Sequence, residues 1–257
     1  MPPLGGGALT EQSRDFPQFY ITPPQACPYL PGRRERKVFT HLTPEKPFEA
    51  VDQLLRTGFR RSQNIAYTPH CDGCNACVSV RVMVDPFRPG RSFRRTIEAN
   101  RDIVARRLPA LATADQYRLF RDYVTSRHSE GGMSDMTQGD YRSMVQDSQL
   151  TTTITEYRCR RPGGLPSEFG KWPLLAAVLC DQLSDGVSMV YSFYDTEQSS
   201  RGLGTYLILD QIAEAKRLGL PYVYLGYWIE GSAKMSYKIR FQPQERLTHM
   251  GWVRVSP

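Results

Sequence analysis

Residues 189–241 read MVYSFYDTEQSSRGLGTYLILDQIAEAKRLGLPYVYLGYWIEGSAKMSYKIRF, and this stretch decides the fold. Residues 187–194 alternate apolar and polar with β-rich composition, which predicts a strand. A polar loop follows and closes on Arg201-Gly202-Leu203-Gly204. From 206 to 218, Leu207, Ile208, Ile212, Ala215 and Leu218 fall on one helical face. Gly219 and Pro221 stop the helix, and 222–227 predicts a second strand. The basic-aromatic cluster Lys234, Tyr237, Lys238 and Arg240 ends the stretch. A Gly loop that opens a helix between two strands presents free N–H groups and the positive end of a helix dipole, so it suits an anionic ligand.

The totals bound the rest. A chain of 257 residues holds one large domain or two modest ones. With 40% hydrophobic residues it can build a core, and its mean hydropathy of −0.46 fits a soluble protein. No apolar run nears the roughly 20 residues of a membrane span. The first residues, MPPLGGGALTEQSRDF, lack a basic region and an apolar region, so no secretion signal is expected and the cytoplasm is the expected compartment. Residues 1–15, rich in Gly and Pro, are expected to be mobile. A net charge of +7 points weakly to a polyanionic partner.

Upstream, Cys27-Pro28-Tyr29-Leu30-Pro31-Gly32 is a turn-rich knuckle, followed by the basic run Arg33-Arg34-Glu35-Arg36-Lys37. Strands are predicted at 38–42, 65–68 and 78–84, and a helix at 46–58 capped by Gly58. Asp85-Pro86, Pro89 and Gly90 break the chain, which places a boundary near 90 between a Cys-containing part (16–90) and a second part (91–257). The basic stretch 92–108 reads as a strand running into a short helix. Helices follow at 113–126 and 137–145, then strands at 151–158 and 174–182, a hairpin turn at Ser184-Asp185-Gly186, and a last strand at 244–255.

From 113 onward, helices, a strand meander, a Gly loop with its helix, and a strand form the layout of the GCN5-related acyltransferase fold, in an α+β protein. That fold's pyrophosphate loop often has Gln or Arg three residues before its first glycine, where this chain has Ser199. A coenzyme A-dependent N-acetyltransferase is therefore an alternative with an imperfect signature. A second alternative is a nucleic-acid-binding protein with a Cys-based metal knuckle.

Tyr194-Asp195, Gly204-Thr205-Tyr206, Tyr224-Leu225-Gly226-Tyr227 and Lys234-Met235-Ser236-Tyr237-Lys238 resemble the arginyl- and leucyl-tRNA–protein transferases. So do Cys27-Pro28-Tyr29-Leu30, Gly58-Phe59-Arg60-Arg61-Ser62 and the 71–77 cysteine cluster ahead of Arg81. The resemblance covers about residues 18–252 and is closest to the bacterial leucyl branch, because Cys27 has no second cysteine beside it. It implies transfer of leucine from leucyl-tRNA to proteins with N-terminal Asp or Glu, which marks them for degradation in the N-degron pathway. Arginyl-tRNA as donor remains the alternative within the family.

Such a reaction starts from an activated ester and requires no cofactor. The enzyme must align amine and ester, help remove a proton and stabilise an oxyanion. Asp195 and Tyr237 are the candidate catalytic residues, Asp195 either capping its loop or orienting the amine. Arg60, Arg61 and Arg81 are candidates for the acceptor's acidic side chain, near the junction of the two parts. Lys234 and Lys238 are candidates for the terminal adenosine, its phosphates or a carboxylate. Tyr194, Gly204 and Tyr206 belong to the substrate-binding set that the resemblance implies. Cys27, Cys71, Cys74 and Cys77 supply four thiolates, enough for zinc or an iron–sulfur cluster, with His70 able to replace one. Buried or redox-sensitive thiols without metal are the alternative. His41, His128 and His249 read as structural.

Overall fold

The computed structural model describes residues 17–127 and 133–255. The mobility expected of 1–15, and His128, lie outside the described residues. The elements in order are β1 (Tyr20–Ile21), β2 (Gln25–Ala26), β3 (Arg34–Glu35), β4 (Lys37–His41), α1 (Phe48–Arg56), β5 (Arg60–Ser62), β6 (Ile65–Pro69) and β7 (Cys77–Met83). They continue with α2 (Arg91–Glu98), β8 (Ile103–Pro109), α3 (Ala114–Arg127), α4 (Gln138–Gln146), β9 (Thr151–Cys159), β10 (Leu174–Gln182), β11 (Gly186–Tyr194), α5 (Leu203–Arg217), β12 (Tyr222–Ile229), β13 (Gln244–Thr248) and β14 (Gly251–Val255).

A mixed α/β arrangement forms around an eight-stranded sheet in the order β14-β13-β7-β12-β11-β10-β9-β8. Beside it, β1-β4-β6-β5 form a small sheet, and β2 pairs with β3. Strand β7 enters the large sheet between β12 and β13, antiparallel to both, so sequence from before residue 90 completes it. Its alternation explains the fit. Val80 and Val82 are buried in the core under α5, while Arg81 faces the other way.

Three apolar clusters hold the layers. Leu203, Leu207, Ile208, Ile212 and Ala215 of α5 pack on Val223 and Leu225 of β12 and on β7. On the opposite face, Phe120 and Val124 of α3 and Tyr141, Met144 and Val145 of α4 cover Ile154, Ala177, Leu179 and Phe193. Val51 and Leu55 of α1 join Leu42, Ala66, Leu183 and Tyr224, which docks the small sheet on the large one. Helix α4 starts at a capping box in which Thr137 Oγ1 accepts from Asp140 N–H and Asp140 accepts from Thr137 N–H.

Two expected elements are corrected. The stretch expected as a strand running into a helix has the opposite order, α2 and then β8. Phe93 and Ile97 stand four apart, a helical spacing, while β-branched Ile103 and Val104 fall within the strand. The single last strand is a hairpin, β13 and β14, in which Thr248 Oγ1 donates to Gly251 O at 3.0 Å and accepts from Met250 N–H at 3.1 Å.

Candidate active site

The site forms where two parallel strands part. Strands β11 and β12 pair only at Gly186↔Tyr222, Val187↔Val223 and Ser188↔Tyr224. Beyond that, β11 stays with β10 as far as Ala176↔Tyr194, while β12 follows β7 to Ile229↔Cys77. The register of β12 breaks between Tyr224 and Gly226, and Gly226 has φ +77°, a left-handed conformation that suits glycine.

Arg60 of β5 fills the base of the gap. Its Nη1 donates to Ser188 Oγ at 3.3 Å and its Nη2 donates to Met189 O, just where β11 leaves β12. A Cβ at Gly226 would stand 2.9 Å from Arg60 Nε, so the bare backbone is what lets the guanidinium lie against β12. Tyr227 O–H donates to Gly58 O at 2.9 Å and fixes the turn that delivers Arg60. Among the described residues, no carboxylate lies within ion-pair distance of Arg60.

The two neighbouring candidates are placed differently. Arg61 points to the opposite side of β5 and makes a buried bidentate pair with Asp181, at 2.6 and 2.9 Å. Arg81 lies 3.5 Å from the Tyr222 ring and 4.4 Å from the Trp252 ring, and it pairs with Glu245 at 2.6 Å and Asp185 at 3.5 Å. Both charges are neutralised inside the fold, which leaves neither free for a substrate carboxylate. The acidic partners of Arg81 are thus within the protein.

Lys238 is 5% exposed, in the turn Ser236–Arg240, and its Nζ donates to Tyr227 O. Burial, and then the charge of Arg60, push its ammonium down to about 7. Tyr237 borders the same space. Burial raises its hydroxyl, Arg60 opposes the rise, and Tyr194 adds to it. The Tyr194 ring packs on Tyr123 at 4.9 Å and against Gly204, where a Cβ would meet it at 3.2 Å. Gly202, at φ +62°, starts α5 without a side-chain cap, so the first N–H groups of α5 stay open.

Asp195 follows directly, and its Oδ1 accepts from Glu197 N–H at 2.9 Å. Lys234 is exposed on the approach to the turn. Tyr206 is turned away from the gap. Its ring meets Tyr157 at 6.0 Å, and burial beside Asp210 raises its hydroxyl to about 12. Ser188, Gly226 and Tyr227 complete the gap without having been singled out as site residues. A glycine inside the run YVYLGYWI was the available signal, since an isolated strand glycine marks a bulge or a close approach.

The four cysteines share the wall of a cavity of about 660 Å³, between the small sheet and the end of β12. Among the described residues, no group of three or more His, Cys, Asp or Glu side chains is arranged to hold a metal ion. Cys71 Sγ is tied to the backbone of Arg36, accepting from its N–H at 3.4 Å and donating to its O at 3.7 Å. Burial, and then the neighbouring Cys71, Cys27 and Cys74, raise the Cys77 thiol to about 12. The zinc or iron–sulfur expectation finds no support among the described residues. His41 packs on Tyr20 and Phe39, and His249 lies exposed at the cavity mouth. No helix among the described residues is long and apolar enough to cross a membrane.

Two family models match the chain: "Arginine-tRNA-protein transferase, N terminus" over residues 25–95 and "Arginine-tRNA-protein transferase, C terminus" over 115–248. A protein of Azorhizobium caulinodans named aspartate/glutamate leucyltransferase is 57% identical over 96% of this chain and 99% of its own. One of the same name from Xanthobacter autotrophicus is 56% identical with the same coverage. Among solved structures, "Crystal structure of FemX" overlaps 78% of this chain and 65% of its own, with TM-score 0.45 and 9% identity. The protein is an enzyme, a transferase of aminoacyl groups. The chain belongs to the arginine-tRNA-protein transferase family.

Proposed function

We propose that the enzyme moves leucine from leucyl-tRNA onto the α-amine of proteins that begin with Asp or Glu, which marks them for degradation. The observation that carries this reading is Arg60. A cation without a carboxylate partner among the described residues stands in the strand gap, held by Ser188 and Met189. The names of the relatives at 56–57% identity support donor and acceptor together.

The chemistry needs little from the protein. The acceptor's α-amine, with an ordinary value of about 7.7–8.0, is partly neutral near pH 7. Its nitrogen attacks the ester carbonyl, the bond to the ribose oxygen breaks, and that oxygen takes a proton as the amide forms. Arg60 would bind the acidic side chain and so place the amine. Asp195, at the mouth of the gap after Tyr194, would orient that amine. The Tyr237 hydroxyl, protonated near pH 7 like an ordinary phenol, would donate to the developing oxyanion. Lys238 would hold the strand end through Tyr227 O, Tyr194 and Gly204 would shape the gap, and exposed Lys234 would meet the phosphates of the terminal nucleotides.

The same reading takes 91–257 as a GCN5-related acyltransferase-like part and 16–90 as a smaller Cys-containing part that lends β7 to its sheet. The limits of the two matched family models, at 95 and 115, lie close to that division. Cytoplasmic location goes with this role.

Purified protein given radiolabelled leucyl-tRNA or arginyl-tRNA, with peptides beginning Asp, Glu, Arg or Ala, tests the proposal. Leucine is expected on the Asp and Glu peptides alone. Arginine transfer would move the donor assignment, and acetyl transfer from acetyl-coenzyme A with neither tRNA used would overturn the reading.

A further inference from the structure

Helix α2 carries three cations that the gap does not use. Arg91, Arg94 and Arg95 are exposed and share one face, at i, i+3 and i+4. Among the described residues none of the three has a carboxylate within ion-pair distance. Glu98, on the same face, is engaged by Arg101 at 2.9 Å. Like charges at this spacing destabilise a helix, so the row is a cost to folding that a polyanion would relieve.

The helix is also fixed in position. Phe93, on its inner side, stacks on Phe241 with centroids 5.0 Å apart and planes 15° apart. Arg240 adds a fourth cation, its Nη2 donating to Ser92 Oγ at 3.4 Å and its guanidinium lying 5.3 Å from the Phe93 ring. At the other end, Asn100 Nδ2 donates to Thr96 O and to Arg201 O, each at 2.8 Å. Asp102 grips Arg201 with bonds of 2.7 and 2.8 Å. Thr96 Cγ2 lies 3.7 Å from the Cβ position of Gly202. The arginine row is thereby held in register with the start of α5, which borders the gap through Gly204.

We propose that the exposed arginine face of α2, with Arg240, docks the phosphate backbone of the donor tRNA and leads its acceptor strand past Gly202 into the gap. The inference rests on the aminoacyl-tRNA reading above. Phosphate contacts of this kind set position and carry no sequence information. They also make affinity depend steeply on salt.

The full chain and deacylated tRNA, followed by fluorescence anisotropy between about 50 and 200 mM salt, provide the test. Replacing all three residues (Arg91→Gln, Arg94→Gln, Arg95→Gln) should lower the slope of log affinity against log salt by about 2–3 and weaken binding at least about tenfold. The matching Arg→Lys triple, which keeps the charge, should retain the slope. In transfer assays the Gln triple should raise KM for leucyl-tRNA and leave both kcat and the peptide KM unchanged. A Gln triple with the wild-type slope and KM would overturn the docking face, as would a loss that the Lys triple shares equally. Wild-type protein that neither bound tRNA nor transferred from it would overturn the aminoacyl-tRNA reading, and the docking face with it.

Discussion

Arg60 and Arg61 are neighbours on β5, and strand alternation sends them to opposite sides. Arg61 meets Asp181, whose Oδ1 also accepts from Thr152 Oγ1 at 2.6 Å. Arg61→Met would leave that carboxylate buried without its cation, at a cost of about 3–5 kcal/mol, and adding Asp181→Leu should recover much of it. Urea unfolding of the two variants checks this, and a single variant as stable as wild type would refute the buried pair. Lys238 gives a pH prediction. Its native value, about 7, lies below the ordinary value of about 10.4, so between these the unfolded chain binds more protons. Its penalty on stability is full below pH 7 and fades as pH rises through that window. Relative to Lys238→Met, wild type should gain on the order of 1 kcal/mol per pH unit above 7. Parallel stability curves would contradict the buried ammonium. Neither partner relation was legible in sequence. The run Gly58-Phe59-Arg60-Arg61-Ser62 shows two equivalent cations, and Asp181 stands 120 residues away from Arg61.

At the scale of elements, local period was enough for the frame of the site. The strand, helix and strand read at 187–194, 206–218 and 222–227 are β11, α5 and β12 within a few residues. Their amphipathic faces are set by adjacent residues, so the pattern is local. The glycine that opens the gap was less legible, because a single strand glycine does not announce the sign of its φ. Gly226→Ala should strain a backbone at φ +77° by about 1–3 kcal/mol and push on Arg60. Because positioning is more sensitive than folding, kcat/KM for an Asp-initiated peptide should fall about a hundredfold while the melting transition stays cooperative. Full activity in that variant would show that the close approach is dispensable. Where charge dominates composition, period reading failed. The arginines of 91–107 lie on both a helix and a strand, and their order became visible only from Phe93, Ile97, Ile103 and Val104. The cysteine spacing suggested convergence, and the four thiols do share one cavity, but spacing does not fix where each Sγ points, and Cys71 Sγ is bonded to the backbone of Arg36.

The whole molecule draws the candidate site from different stretches of chain. Arg60 arrives on the small sheet, and β7 threads between β12 and β13, so neither part of the chain builds the gap alone. No periodicity announces such a pairing, since β7 and β12 are joined across some 140 residues by hydrogen bonds that any alternating strands could make. On the proposed reading the arrangement also separates the two substrates, with the acceptor's carboxylate at Arg60 and the RNA on the side of α2 and α5. The most direct test compares kcat/KM for two peptides that differ only in beginning with Asp or Asn, in wild type and in Arg60→Gln. The account predicts a strong preference for Asp in wild type that falls at least about tenfold in the variant, with KM for leucyl-tRNA unchanged. A variant that still prefers Asp as strongly as wild type would contradict it.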